Sequence, residues 1–336
     1  MVSEITYLEA SRLALAEEMR RDPDVWALGE DLGQGGVFGQ YAGLAEEFGS
    51  GRIADTPISE ATIMGAAVGA ALVGTRPVIE MRFADFALCA VDELVNQAAK
   101  NRFMFGSQGR VPLVVRQPSG MWRSSAAQHS QSLEAWYAHI PGLVVVCPAT
   151  PADNYGLLKS AIRCDDPVVY MEHKGLWQTT GPVSEASDPI PLGKARMVRE
   201  GRDITLVTWS AMVRAAQDAA VLLEAQAGPS VEIIDLRTIY PWDRKTVFAS
   251  ARRTGRVLVV HEAVAVAGFG AEIIATVAEE LNVRVSRFGA PRVPVPYAPP
   301  LEEMIRITPE KIAGAAWRLM EERRETSSTN HNKQSE

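Results

Sequence analysis

Short runs of β-branched residues alternate with longer helix-like stretches along most of this chain, and that alternation leaves few folds open. The spacing predicts strands at Val25 to Gly29, Pro77 to Met81, Val111 to Arg116, Leu143 to Cys147 and Val168 to Met171. The clearest helical stretch between them runs from Asp85 to Phe105, where Leu88, Val91, Leu94, Val95 and Ala98 recur at three- and four-residue steps. A second series follows, with strands at Ile204 to Trp209, Val231 to Leu236 and Val257 to His261 and helices near Met212 to Ala225, Asp243 to Arg253 and Ala271 to Leu281. Parallel strands need a crossover, usually a helix, so two such series predict an α/β chain of two doubly wound, mainly parallel-sheet domains. Between the series, "GLWQTTGPVSEASDPIP" from Gly175 to Pro191 has no sustained period and many turn formers, which predicts a linker. The expected domains are therefore 1–180 and 195–320. "PRVPVPYAPP", Pro291 to Pro300, is half proline and reads as an extended connector. From 321 to 336, "EERRETSSTNHNKQSE" has no apolar residue and is expected to be a disordered tail.

The bulk properties agree with that division and exclude several function classes. A chain of 336 residues suits two domains of roughly 150 each, and 47% hydrophobic content fills large cores. A formal charge of -7 argues against a nucleic-acid surface. Cys89, Cys147 and Cys164 show neither metal-ligand spacing nor an even disulfide framework, so a reducing, cytoplasmic setting is expected. The N-terminal stretch "MVSEITYLEASRLALAEEMRRD" carries acids throughout and reads as an amphipathic helix, unlike a secretory signal or an acid-poor transit peptide. The longest apolar run, Ala61 to Val73, is shorter than the roughly 18 residues that cross a bilayer, so no membrane partner is expected.

Three places offer chemistry. "GFGAEI" from Gly268 follows a strand and opens a helix as a dinucleotide fingerprint would, but Ile273 stands where the third glycine belongs. "GQGGVFG" from Gly33 also misses that spacing and no P-loop pattern occurs, which leaves a nicotinamide enzyme a weak alternative. In "DTPISEATIMGAAVGAALVG", Asp55 to Gly74, a carboxylate at Glu60 opens a helix of small residues. Ser59 is expected to cap that helix and Glu60 to favour its positive end. Gly65 and Gly69, four apart, equally allow another backbone to approach closely, and a carboxylate in so dry a place suits proton exchange with a bound ring nitrogen. The third place is "AAQHSQSLEAWYAHIPG", where His129 lies in a polar run before a helix and is a candidate proton carrier. His139 reads as a packed or capping residue. No nucleophile elbow and no second histidine at metal spacing accompany His129, so hydrolase and zinc readings fade.

Ten ordered motifs then carry a resemblance: "GED" at Gly29, "GGVF" at Gly35, "DTPISE" ending in Glu60, "RPVIEMRFADF" ending in Phe86, "NQAAK" at Asn96, "HSQS" at His129, "PGLVVV" at Pro141, "AIRCDDPVV" at Ala161, "DLRTIYPWD" at Asp235 and "GFGAEI". From about residue 4 to 310 the chain resembles the beta subunit of the thiamine-diphosphate-dependent 2-oxo acid dehydrogenases. The resemblance implies a transketolase-type pyrimidine-binding domain followed by a transketolase C-terminal domain. It implies that Glu60 hydrogen-bonds the aminopyrimidine ring of thiamine diphosphate and promotes its imino tautomer, that Phe86 packs against that ring, and that His129 faces the substrate and the incoming lipoyl arm. Arg82 lies beside the same pocket. A structural potassium site made chiefly of main-chain carbonyls would fall at Leu113, Ala161, Ile162, Cys164 and Asp166, although an ordinary helix end at "AIRCDDP" would leave free carbonyls there anyway.

The same resemblance implies partners. The diphosphate and magnesium site of these enzymes uses a Gly-Asp-Gly motif, which this sequence lacks. The expected enzyme therefore holds two alpha and two beta chains, with the magnesium held mainly by the alpha subunit. It passes its acyl group to a lipoyl-bearing dihydrolipoyl acyltransferase core. Pyruvate is the leading substrate; acetoin and branched-chain 2-oxo acids are alternatives, and a non-catalytic structural partner is the alternative of another class. Two departures bear on the choice. Arg82 stands where many relatives have glutamine, and "SGMWRSS" from Ser119 replaces a stretch richer in glycine, so Met121, Trp122 and Arg123 are expected to narrow or recharge the substrate channel.

Overall fold

The computed structural model describes residues 2–184 and 188–321. Its first half is a seven-stranded sheet in the order Thr238–Tyr240, Val144–Val146, Val168–His173, Val114–Ser119, Arg76–Glu80, Val25–Gly29 and Ile53–Asp55. All neighbours pair in parallel except the first two. Alternate residues of each strand serve opposite faces. Val25, Ala27, Val78, Val114, Val168 and Tyr170 pack under the helices Tyr7–Arg21 and Pro151–Arg163. Leu28, Ile79, Val115, Val169 and Met171 pack against the helix Glu60–Leu72. Burial on both faces is what near-continuous apolar strands require.

The second half is a five-stranded sheet in the order Arg284–Ala290, Arg256–Val264, Ile204–Thr208, Val231–Asp235 and Arg196–Arg199, parallel but for its last edge. One face carries the helices Met212–Ala225 and Pro309–Glu321. The other, with Val207, Ile234, Val257 and Val259, joins the apolar core beneath Glu60–Leu72. The two sheets thus share one continuous core, and the edge strand Thr238–Tyr240 crosses from the second half into the sheet of the first. Among the described residues no helix is long and apolar enough to cross a membrane.

Several local expectations need correction. Val2–Thr6 is a strand, paired antiparallel with Thr180–Ser184, so the N-terminus is not helical from its start and the expected linker contains a strand. Each of these strands exists only through a partner about 180 residues away, which no local pattern reveals. The helix starts at Tyr7 because Thr6 and Glu9 form a capping box, each side chain accepting from the other's backbone N–H. Asp85 to Phe105 is not one helix: a 3₁₀ turn at Phe86–Ala90 leads into a π-wound segment, Glu93–Ala98, and then an α-helix, Ala99–Met104. The change of winding takes Leu88 out of the buried stripe, leaving it 40% exposed. The strand expected to stop at Met171 runs on to His173. Residues 291–298 carry no helix or strand, and Pro299 then opens a helix, Pro299–Ile305. The expected tail begins one residue early, since Glu321 ends the last helix; residues 322–336 lie outside the described residues.

"GFGAEI" has a structural purpose. A Cβ at Gly268, Gly270 or Gly289 would come within 2.6, 2.8 and 2.7 Å of the buried His261 ring, so these glycines make room for an imidazole stacked on Trp209. Burial pulls His261 down to about 4 and keeps it neutral, with Nδ1 donating to the Ala263 carbonyl.

Candidate active site

The chemistry collects beyond the carboxyl ends of the strands Arg76–Glu80, Val114–Ser119 and Val168–His173, where open parallel sheets hold their ligands. There His129, Phe83 and Phe86 form a three-ring cluster, with centroids 5.1, 5.2 and 5.6 Å apart in edge-to-face contacts. All three rings are half-buried. The structure therefore brings together two residues singled out in the sequence, Phe86 and His129, and adds Phe83. Glu60 opens the helix that packs on the Phe86–Ala90 turn. Its carboxylate is half-buried and has no hydrogen-bond or ion-pair partner among the described residues. Ser59 does not cap the helix as expected: its hydroxyl donates to Thr62 Oγ1 instead, since at φ −166° and ψ 75° it makes no bond to the first-turn N–H groups. His139 does stand at a cap, ending the helix Glu134–Ala138 with its backbone N–H, and it is exposed rather than packed.

The loop that carries His129 is held from three sides. At its start Gly120 has φ +84°, and a Cβ there would lie 2.1 Å from His173 Nε2. Arg123, Ser124 and Ala126 also take positive φ, a strained course that persists only when the surroundings over-determine it. Glu262, from the second sheet, supplies much of that constraint. Its Oε2 accepts from Met121 N at 2.9 Å, Ser132 Oγ at 3.2 Å and His173 Nε2 at 2.9 Å. His173 Nδ1 accepts from Gly175 N, which fixes the ring as the tautomer that donates through Nε2. Burial opposes charge on Glu262, yet the donors, His173 foremost, hold its carboxyl below the usual range. Trp122 packs edge-on to Phe38 and Trp177, at 5.9 and 5.4 Å, and Arg123 lies over the Trp122 ring. A cleft of about 1280 Å³ opens between the two halves, lined by Met121, Gln128, Ser130, Trp136, Glu262 and Phe269 among others.

Arg82 is held by two carboxylates. Its guanidinium lies between Glu30 and Asp31, at 3.1 and 2.9 Å, so its charge is met within "GED". The carbonyls expected to hold potassium are already engaged. Arg76 Nη1 donates to Ile162 and Cys164 at 3.0 and 3.1 Å, Cys164 N donates to Ala161, and Val168 N to Leu113. The Asp166 carboxylate pairs with Arg102. A carbonyl has a second lone pair, but an ion here would sit beside a guanidinium. No cluster of three metal-ligating side chains occurs among the described residues.

Within the first sheet lies a buried ion group that the sequence reading missed. Arg116, 1% exposed, bonds Glu172 at 2.7 Å and faces Glu80 at 3.7 Å, with the Tyr41 ring 5.1 Å from its guanidinium. Burial pushes Glu80 up to about 7 despite Arg116. Lys174 and Phe83 were also missed. The signal was present: "EHK" at 172–174 sets three titratable residues at the end of a buried strand, where apolar residues are the rule.

Comparison with known proteins gives the geometry its family context. The model of the transketolase pyrimidine-binding domain matches residues 3–179, and that of the transketolase C-terminal domain matches 193–312. The chain is 42% identical to the 2-oxoisovalerate dehydrogenase subunit beta of Bacillus subtilis, covering 95% of this chain and all of that one. It is 43% identical to the beta subunit of acetoin:2,6-dichlorophenolindophenol oxidoreductase of Cupriavidus necator, over 91% and 95% of the two chains. It is 44% identical to the pyruvate dehydrogenase E1 component subunit beta of Rickettsia bellii, over 90% and 94%. Among solved structures, a split-gene transketolase described as an inactive beta4 tetramer aligns with a TM-score of 0.77 at 23% identity, covering 94% of this chain and 98% of that one.

Proposed function

We infer the function from a family to which this chain belongs, the transketolase-like beta subunits of the 2-oxo acid dehydrogenases. The chain is the beta subunit of an enzyme that oxidatively decarboxylates a 2-oxo acid and passes the acyl unit to a lipoyl group. We propose pyruvate as its substrate, with acetoin and branched-chain 2-oxo acids as the alternatives named by equally similar relatives. The observation that carries the site reading is the Phe83–Phe86–His129 cluster, against whose Phe86–Ala90 turn the Glu60 helix packs, together with a Glu60 carboxylate that has no partner among the described residues.

These residues suit thiamine diphosphate. An unpartnered Glu60 carboxylate accepts a hydrogen bond from a ring N–H and exchanges its proton, and Phe86 offers an aromatic face to the same ring. When bound, the cofactor supplies the electron sink that takes up the pair released with carbon dioxide. Phe83 and Phe86 exclude water from the reacting region, and His129 holds or delivers a proton at the substrate oxygen. Arg82, fixed by Glu30 and Asp31, borders the pocket with its charge met by two carboxylates.

Two alpha chains are proposed to join two beta chains and to bring the magnesium and diphosphate half of the site. The acyltransferase core is the onward partner, and three free cysteines suit a reducing, cytoplasmic compartment. We take residues 1–180 and 195–320 as the two domains, the strand Thr238–Tyr240 of the second completing the sheet of the first. Potassium at Leu113, Ala161, Ile162, Cys164 and Asp166 would have to share carbonyls with Arg76, so we propose that any such ion binds weakly. The test is co-expression with an alpha subunit, followed by assays of dye reduction with an artificial electron acceptor on pyruvate, 3-methyl-2-oxobutanoate and acetoin, the first two decarboxylated and the third cleaved between its oxygenated carbons. Turnover that needs both chains is expected; a well-formed complex inert toward all three substrates would refute the reading.

A further inference from the structure

Lys174 is the most unexpected residue near the rings. It begins the turn after the strand Val168–His173 and is 1% exposed, where lysines almost never lie without a compensating partner. Its ammonium donates to the His129 carbonyl and sits over the Phe83 ring, 4.6 Å from the centroid. Asp85 and Glu262 face it electrostatically from two other elements. Asp85 Oδ1 accepts from Gln131, two residues past His129, at 2.7 Å, while its Oδ2 is buried with no partner in the protein. Burial lowers the Lys174 pKa to about 8, so at neutral pH the ammonium remains charged.

We propose that Lys174 is the positioning residue for His129, fixing the loop through the His129 carbonyl while its stem and charge brace the Phe83 face of the ring cluster. The proposal rests on the reading of His129 given above. Three features make it specific. The bond goes to the backbone of His129 itself, so it sets where the imidazole starts from. The cation–π contact uses the same Phe83 ring that touches His129, so one ammonium fixes both members of the pair. Glu262 holds the ends of the loop at Met121 and Ser132 but does not reach its middle, where Arg123, Ser124 and Ala126 are strained. Trp122 and Gln131 anchor the loop on either side of its middle, and Lys174 adds the hold on His129 itself. Placement errors of about 1 Å in a reacting group can cost on the order of 100-fold in rate.

The experiment uses the assembled alpha–beta enzyme and measures two half-reactions, dye-linked decarboxylation and acylation of a free lipoyl domain. The wild type is measured first; its turnover separates failure of this inference from failure of the functional reading. His129→Ala, Lys174→Met and the double variant form a cycle. If Lys174 acts through His129, Lys174→Met lowers acylation about tenfold, decarboxylation falls less, and adding it to His129→Ala changes acylation by less than about twofold. A merely structural lysine would lower both half-reactions together, and the two single effects would multiply in the double variant; that outcome overturns the proposal. Should Lys174→Met fail to assemble, Lys174→Gln, which keeps an N–H donor without the charge, carries the same cycle and is read by the same criterion.

Discussion

Two of the polar clasps that join the halves of the molecule are built from different chemistry. In one, Asp153 on the helix Pro151–Arg163 meets Arg237 at 2.7 Å and Arg196 at 3.4 Å, and Arg196 reaches Asp235 at 3.2 Å. Both carboxylates are at most 1% exposed. In the other, a single carboxylate from the second sheet, Glu262, gathers His173 and two loop donors of the first. The first clasp joins a helix of the first half to an edge strand, a strand end and the bend at Arg237 in the second, and touches no residue of the ring cluster. The second closes on the loop that carries His129. Similar buried polar contacts thus serve stability in one place and the placement of a reacting group in the other.

Breaking the clasps separately should separate those roles. Among the largest effects is that expected from Asp153→Ala, which takes from the half-buried Arg237 its carboxylate partner and leaves Arg196 with Asp235 alone, and should lower unfolding free energy by about 3 kcal/mol, read by denaturant unfolding. The folded fraction should keep its turnover within about twofold, and a collapse of activity without loss of stability would erase the contrast. Gly120→Ala drives a Cβ into His173 and Glu262 at a positive φ, so it should cost about 3 kcal/mol and, unlike Asp153→Ala, should also depress activity in the protein that remains folded. Glu262→Gln keeps the shape but weakens three charge-assisted bonds. Acyl transfer should fall about tenfold while the melting temperature moves by only a few degrees.

Asp235 sharpens the comparison by pH. Burial and the neighbouring Asp153 raise its carboxyl to about 7, above its unfolded value near 4. The folded state then binds the extra proton between those values, so this group's stabilisation is complete below pH 4 and is lost as pH rises through 7. Asp235→Asn should flatten the stability profile across that window by on the order of 1 kcal/mol per pH unit; an unchanged slope would place the titration elsewhere, Glu80 being the other carboxyl raised to about 7. The smallest effect concerns potassium. Exchanging it for sodium should move the melting temperature by less than about 2 °C, and a shift several times larger would mean that the Ile162 and Cys164 carbonyls hold the ion tightly despite Arg76.

Much of this arrangement was legible in the sequence because it is local. The helix Met212–Ala225 follows from its own apolar spacing, and its expected ends are the observed ones. Central strands such as Val25–Gly29 are continuous apolar runs bounded by breakers, and a motif such as "HSQS" marks a loop at a strand end. What escaped is long-range. The pairing of Val2–Thr6 with Thr180–Ser184 and the crossing of Thr238–Tyr240 into the first sheet depend on contacts that no window contains. The burial of Lys174 and Arg116 escaped for a related reason: a charged residue in a sequence reads as surface until its partners are known. Arg82 and Arg76 show the converse. Nothing in the sequence names their partners, and each is engaged, by Glu30 and Asp31 in one case and by Asp165 and two carbonyls in the other.

Glu60 and the Phe83–Phe86–His129 cluster are proposed to serve thiamine-dependent decarboxylation in a two-chain enzyme. The direct test is the Glu60→Ala beta subunit, assembled with its alpha partner and compared with wild type in reductive acylation of a lipoyl domain by the best of the three substrates. A loss of about 1000-fold, with assembly and melting temperature preserved, is the predicted result. Acyl transfer within a few-fold of wild type would contradict it.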